Sequence, residues 1–410
     1  MLTLYLRGMK VAIIGGGAAG YFAAISVKEH HPSAEVSILE KSTKVLAKVK
    51  VSGGGRCNVT NGCATTKQLL QGYPRGAKLL KKLFREFDNH TTQGWFEKHG
   101  VSLKTEKDGR VFPMSNSSQT IIDCLQEKIN RLGIQVLMSS DVTSIRLEPD
   151  SIDLITKSKG SMAYDRVIIT TGGSPKRSGF SWLEQAGVEI IPPVPSLFTF
   201  NMPQESITSL MGVVVNNAAV NIQGAKLKAE GPLLITHWGM SGPAILKLSS
   251  FGARLLADMN YQYKVQVNWV NVQNEELVKS TLTEITASNH HKLMVNLAPY
   301  DLPKRFWVYM LAKAGIEEHK KWGDLGKKAM NKLVTIMTND VYQVSGKTTF
   351  KEEFVTCGGV SVSAINTQSL ASTVDPRLYF AGEVLDIDGI TGGYNFQAAW
   401  TTGFIAGQLK

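Results

Sequence analysis

The stretch "GGGAAG" at 15–20 sets glycines at positions 15, 17 and 20, and an acid, Glu40, stands twenty residues beyond Gly20. Residues of these types at this spacing can hold a dinucleotide. Gly15 permits a tight turn, Gly17 lets the backbone approach a pyrophosphate, and Gly20 lets a helix pack close to a strand. The helix start at Ala18 and Ala19 offers N–H groups and a positive dipole end to phosphate. A carboxylate at Glu40 accepts from a ribose 2′-hydroxyl and disfavours a 2′-phosphate. That points to FAD or NAD and away from NADP.

Three further places carry residue types that do chemistry. "VSGGGRCNVTN" (51–61) follows the ribose-binding acid, and Arg56, Cys57 and Asn58 close its glycine run. Cys57 and Cys63 stand as C-x5-C with no third ligand nearby, a poor zinc or redox spacing, so no metal is expected. Near the end, "FAGEVLDIDGITGGYN" places Gly382, Glu383, Gly393, Tyr394 and Asn395 ahead of a last helix. Such a helix N-terminus can stabilise negative charge on a reduced cofactor ring. His237 in "THWGMSGPA" is a candidate proton donor or carbonyl-orienting group. Cys357 in "TCGG" reads more readily as a small buried hydrophobe.

The elements that must position these residues are legible. "KVAII" (10–14) reads as a buried parallel strand, "YFAAISVKEH" as a helix, and "EVSILEK" (35–41) as a second strand ending at Glu40. Ser115 or Ser117 is expected to cap a helix through Ile121, Leu125 and Ile129. Val142 is placed just past the strand that follows. A hairpin and a buried strand, Val167 to Thr171, lead to Gly172 and Gly173. "IPPVPSL" (191–197) excludes helix and central strand and is expected as a domain boundary. Alternating segments from 198 to about 265 suggest antiparallel structure, with 274–338 helical and 354–362 a strand and turn. A strand at 377–381 and a helix from 395 to 408 end the chain.

Bulk composition bounds the rest. The chain has 410 residues, 43% hydrophobic and 19% charged, which fits two or three globular domains. No apolar run is long enough for a membrane helix, and the reading is a cytoplasmic protein without a disulfide scaffold. The net charge of +11 reads mainly as a solvated basic surface. Lysines are dispersed and not interleaved with aromatics, which disfavours a nucleic-acid partner. Oligomeric state is not encoded in any visible pattern.

With these motifs in view, the chain resembles the BaiN-type, aminoacetone-oxidase-like family of FAD-dependent oxidoreductases. The resemblance spans essentially the whole length, through "VAIIGGGAAG", "LEKSTKVLAKVKVSGGGRCNVTN", "GRVFPMSNSS", "ITTGG", "THWGMSGPAIL", "TCGGVS" and "FAGEVLDIDGITGGYNFQAAWTTG". It departs from the family at Thr171 and at Ala47. It implies an α/β fold: a discontinuous Rossmann-like FAD domain (1–194 and 355–410), an inserted β-barrel-like substrate domain (195–270 and 338–354) and a small helical domain (271–337). It implies non-covalent FAD. Gly15, Gly17, Ala18, Ala19, Gly20 and Gly172 would lie at the pyrophosphate, with Glu40 and Lys41 at the adenosine ribose and Val142 at adenine. Arg56, Cys57, Asn58, Gly382 and Glu383 would line the ribityl side, with Gly393, Tyr394 and Asn395 near the ring. His237, Tyr394 and Asn395 are the catalytic candidates.

The implied activity is hydride passage between flavin and a small organic substrate, by reduction of an unsaturated ring or oxidation of an amine. A flavoprotein acting on RNA and a non-catalytic regulatory flavoprotein are the alternatives. No second glycine fingerprint is present for NAD(P)H, so a nicotinamide donor is expected to bind transiently or be replaced by another carrier.

Overall fold

The computed structural model describes residues 8–349 and 355–410. The N-terminal "MLTLYLR" and Phe354 lie outside the described residues. Those described form two compact units, divided between Ser196 and Leu197, with the residues from Val355 onward belonging to the first.

The first unit is built on a parallel sheet. Its strands are β1 (Lys10–Ile14), β2 (Glu35–Leu39), β3 (Gln135–Leu137), β4 (Arg166–Ile169) and β5 (Leu378–Phe380). They lie in the order β5-β4-β1-β2-β3. Ala12 pairs with Ser37 on one side and with Val167 on the other, both parallel. Val11, Ala12 and Ile13 are fully buried, as expected of a strand with helices on both faces. Strand order reverses at β1, and such a switch point opens a crevice at the carboxyl ends of the strands.

Two helices meet above that crevice. α1 (Ala18–His30) is buried from Ala19 to Val27. α2 (Tyr394–Ala406) packs along it. Gly403 on α2 and Gly407 just past its end bring the backbones together: a Cβ on either would lie 2.6 Å from a carbonyl oxygen of α1, Ala19 and Ala23 respectively. Phe22, Phe87, Trp95, Phe96 and Trp400 fill the space beneath. Ser117 caps the helix Ser118–Arg131, so of the two serines considered it is the later one that does so.

The "IPPVPS" segment forms a strand, Ile190–Ser196, in a two-stranded antiparallel sheet with Val355–Val360. Its register shifts between Ile191 and Val194, where Pro192 and Pro193 supply no N–H to the ladder. The unit ends there, at Ser196.

The second unit holds a seven-stranded sheet in the spatial order 340–345, 262–268, 214–222, 228–236, 239–241, 199–201, 347–348. The outermost strands are consecutive in the chain, joined by Gly346. Its N–H donates to Tyr261 (2.9 Å) and its carbonyl accepts from Asn201 (3.0 Å), which curls the sheet toward closure. Helices Glu275–Ser288, Lys304–Ala314 and Lys327–Thr338 belong to this unit. Buried Asp340 fixes one of them to the sheet, accepting from Trp269 Nε1 (3.1 Å) and from Lys313 (2.5 Å). No helix among the described residues is long and apolar enough to cross a membrane.

Candidate cofactor and active site

The loop between β1 and α1 divides its glycines between packing and access. Gly15 has φ +112°, and a Cβ there would lie 2.6 Å from the Thr170 carbonyl oxygen. A Cβ on Gly20 would lie 2.0 Å from the Gly15 oxygen, so α1 could not sit this close to the sheet with any side chain there. Gly17 differs: no atom lies within 4 Å of where its Cβ would be. It precedes α1, and no side chain caps the N–H groups of the first turn. Ala18 is half-buried and Ala19 buried at that end. Glu40 directly follows β2, which ends at Leu39, and both its oxygens are engaged, Oε2 accepting from the Gly16 N–H (2.8 Å) and Oε1 from the Ser42 N–H (2.9 Å). Lys41 is exposed beside it. Gly172, after β4, also faces open space. Val142 opens an antiparallel strand, Val142–Leu147, rather than trailing the preceding one.

The glycine run of "VSGGGRCNVTN" is not a plain loop. A helical turn begins at Ala47 and breaks at Ser52, Gly53 and Gly54, whose dihedrals are non-helical. Arg56 lies over the Phe112 ring (4.0 Å to its centroid) and pairs with Glu106 (2.8 Å). Cys57 is fully buried, and burial pushes its thiol up to about 12 against a hydrogen bond from Ser52. All four cysteines are free.

From Asn58 onward the segment is joined to the end of the chain. The Asn58 amide donates to the Thr60 and Val111 carbonyls (3.0 and 3.2 Å), and its oxygen accepts from the Gly393 N–H (2.9 Å). Trp400 Nε1 donates to the Val59 carbonyl (2.9 Å), Thr60 Oγ1 to Gln397 Oε1 (2.6 Å), and Asn61 Nδ2 to the Gly392 carbonyl (3.1 Å). Gly393 has φ +90°, and a Cβ on it would lie 2.4 Å from the Thr60 carbonyl. It precedes α2, again without a side-chain cap.

The remaining named residues surround this second helix start. Asn395 spends its amide on Gly389, accepting from its N–H (2.8 Å) and donating to its carbonyl (2.9 Å). Gly382 donates its N–H to Thr402 Oγ1 (2.8 Å) and leaves no room beside the Ala19 methyl. Glu383 accepts from the Thr356 N–H (3.0 Å) and pairs with Lys48 (2.7 Å). Burial raises the Tyr394 phenol, and nearby Cys63 raises it further. His237 belongs to the second unit. It is exposed at the tip of the hairpin joining strands 228–236 and 239–241, edge-on to Trp238 at 4.2 Å. Cys357 is buried in the 355–360 strand. No group of residues suited to a metal occurs among those described.

These features fit FAD. Open space at Gly17 and Gly172, two uncapped helix starts, and a carboxylate at the end of β2 are what a dinucleotide with a charged diphosphate requires. A family model described as the HI0933-like protein Rossmann domain matches residues 9–409. The chain belongs to this family. It is a flavin-dependent oxidoreductase of the HI0933-like, BaiN type. Among curated relatives, the ribosomal RNA dihydrouridine synthase of Haemophilus influenzae is 26% identical over 96% of each chain. The Escherichia coli protein of the same name is 27% identical over 97% of this chain and 96% of its own. The 3-dehydro-bile acid delta(4,6)-reductase of Clostridium scindens is 25% identical over 97% and 98%. Among solved structures, the 3-ketosteroid delta1-dehydrogenase of Sterolibacterium denitrificans superposes with a TM-score of 0.50 at 11% identity, covering 98% of this chain and 99% of that one. That likeness shows the shared fold.

Several residues beside these named ones were not singled out by the sequence reading: Lys48, Thr60, Asn61 and Tyr73; Cys63 was weighed only as a metal or redox residue. Thr60 and Asn61 stand inside the quoted "VSGGGRCNVTN", so their neighbourhood was visible. Their partners, Gln397 and Gly392, lie more than three hundred residues away, and no local pattern encodes that pairing.

Proposed function

We propose that this protein uses non-covalently bound FAD to saturate a carbon–carbon double bond conjugated with a carbonyl, in a small unsaturated ring compound. The observation that carries the cofactor part is the open space at Gly17 before an uncapped helix. Gly15, Gly17, Ala18, Ala19, Gly20 and Gly172 would hold the diphosphate, and Glu40, Lys41 and Val142 the adenosine. The backbone of Arg56, Cys57 and Asn58, with Gly382 and Glu383, would frame the ribityl chain, and Gly393, Tyr394 and the backbone of Asn395 the ring. The bound cofactor would supply a hydride. In this reading the FAD part is 1–194 with 355–410, and the barrel-like part (195–270 and 338–354), with His237, serves the substrate beside the helical part, 271–337.

The relatives' names favour ring saturation over amine oxidation. A delta(4,6)-reductase acting on a 3-dehydro compound removes ring double bonds conjugated with a ketone. A dihydrouridine synthase saturates the uracil ring bond next to a carbonyl. The second reading, a uracil ring held in RNA, is favoured by one observation. Lys320, Lys321, Lys327, Lys328 and Lys332 fall within residues 320–332 of the second unit, with no ion pair to any carboxylate among the described residues, in a chain of net charge +11.

The test is anaerobic. Purified protein should be yellow, and NADH or NADPH, acting as a transient donor, should bleach it. Reoxidation is then followed with a 4-en-3-one steroid, cyclohexenone, unmodified ribosomal RNA, and, in a separate arm, reduction by amines before oxygen. Fast reoxidation by an enone supports the first reading. Reoxidation by RNA alone, with binding that weakens steeply with salt, selects the second. Reduction by an amine followed by fast oxygen turnover overturns both.

A further inference from the structure

We propose that the Tyr394 hydroxyl is the proton donor of this site and that Cys63 and Asn61 are its positioning residues; the proposal rests on the double-bond reduction above. Tyr394 is the first residue of α2, and the chain around it is shaped to admit its ring. A Cβ on Gly72 would lie 2.2 Å from Tyr394 Cε1, one on Gly389 2.7 Å from its Cβ, and one on Gly392 3.2 Å from its Cε2. Tyr73 packs edge-on to the ring (centroids 5.6 Å apart, 86° between planes) and donates its hydroxyl to the Tyr394 carbonyl at 2.7 Å. A side chain wedged this way has one orientation for its hydroxyl.

That hydroxyl lies 3.8 Å from Cys63 Sγ, which donates to Asn61 Oδ1 at 2.9 Å. Asn61 is fixed in turn, donating to the Gly392 carbonyl (3.1 Å), while Asn89 donates to the Asn61 and Cys63 carbonyls (2.8 and 2.9 Å). Cys63 and Tyr394 are both half-buried, whereas Cys57, Cys124 and Cys357 are buried. The pair therefore stands at the open side of an otherwise closed network. Burial keeps the phenol protonated across the neutral range, so it is stocked with a proton.

Saturating a conjugated double bond needs a hydride at the β-carbon and a proton at the α-carbon. Bound flavin would supply the hydride, with its electrons drawn from a reduced nicotinamide. The Tyr394 O–H bond breaks, a C–H bond forms at the α-carbon, and the electron pair stays on oxygen. Water on the open side of Cys63 then returns a proton to the phenolate.

Tyr394→Phe keeps the ring in its slot, so it should fold and hold FAD. Reduction of its flavin by NADH should stay within about twofold of wild type. Reoxidation by whichever unsaturated acceptor oxidises the wild type should fall by about 100-fold or more. Cys63→Ala should slow reoxidation about tenfold and Cys63→Ser should restore most of that loss. Wild-type reoxidation by Tyr394→Phe would overturn the proposal while leaving the function reading intact. A wild type that no unsaturated acceptor reoxidises would overturn that reading, and a second measurement then decides the pairing. Iodoacetamide labelling of the FAD-free protein should mark Cys63 first, at a rate that Tyr394→Phe shifts about fivefold; an unchanged rate would overturn the proposal.

Discussion

Two glycine loops of the first unit, 15–20 and 389–393, end alike, each at a helix start with no side-chain cap. Their glycines do different work. In the first loop Gly15 and Gly20 face backbone and Gly17 faces nothing. In the second, Gly393 faces the Thr60 backbone, Gly389 the Tyr394 Cβ, and Gly392 the Tyr394 ring. The first loop leaves open space by withholding a side chain. The second uses the missing side chains to seat Tyr394. A glycine-rich loop before a helix is thus two devices, told apart only by what a Cβ would meet.

The largest expected effects fall on glycines that face backbone. Gly20→Ala puts a methyl 2.0 Å from the Gly15 oxygen and must lift α1 from the sheet. It should cost about 3 kcal/mol, seen as a Tm lower by roughly 6 °C or more, with FAD lost alongside. Gly393→Ala meets the Thr60 carbonyl at 2.4 Å and adds the strain of its positive φ, so thermal melts should place it with Gly20→Ala. If either variant melts like wild type, the distinction between packing and access glycines fails.

Gly17→Ala comes next and should separate stability from binding. Its φ of −92° suits alanine and no atom lies near the new methyl. The FAD-free protein should melt within about 1 °C of wild type. FAD affinity, from titration of the FAD-free protein, should drop about tenfold or more, because the methyl occupies the space the diphosphate needs. A stable Gly17→Ala protein with unchanged affinity would remove the first loop from the cofactor site. Cys57→Ala should cost about 1 kcal/mol, with FAD bound and reducible, since this thiol is buried, raised to about 12 and turned away from any open space.

These contrasts also mark how far the sequence could be read. The parallel strands, the glycine spacing, Glu40 and the last helix were legible because each is a local pattern: an apolar run, a fixed spacing, a strand end. The "IPPVPS" run reads as a boundary because proline removes ladder donors; it forms a strand, and the first compact unit ends at its last residue, Ser196. What was not legible is pairing at a distance. The Asn58 amide reads as a polar contact for a ligand, yet its bonds go to Thr60, Val111 and Gly393. Asn395 likewise reads as a ring contact and spends its amide on Gly389. The Cys57 and Cys63 spacing reads as a poor metal or redox pair; what it does not tell is that one thiol is enclosed and the other meets Tyr394. Polar residue types declare that a hydrogen bond exists; only the fold says to what.

The smallest expected effect tests whether the two loops are joined by packing or by charge. Lys48 follows the first loop and Glu383 precedes the second, and they pair at 2.7 Å. Lys48 is 55% exposed, so water and salt screen most of the attraction. Lys48→Ala should therefore cost only about 0.5 kcal/mol, and the difference from wild type should vanish in high salt. Packing at Gly20 and Gly393 cannot be screened, so those variants should keep their full loss of Tm at every salt concentration. If Lys48→Ala instead destabilises as much as Gly20→Ala, charge rather than backbone contact holds the loops in place. The geometry argues against it: Glu383 also accepts from the Thr356 N–H at 3.0 Å, so its carboxylate stays anchored when Lys48 is removed.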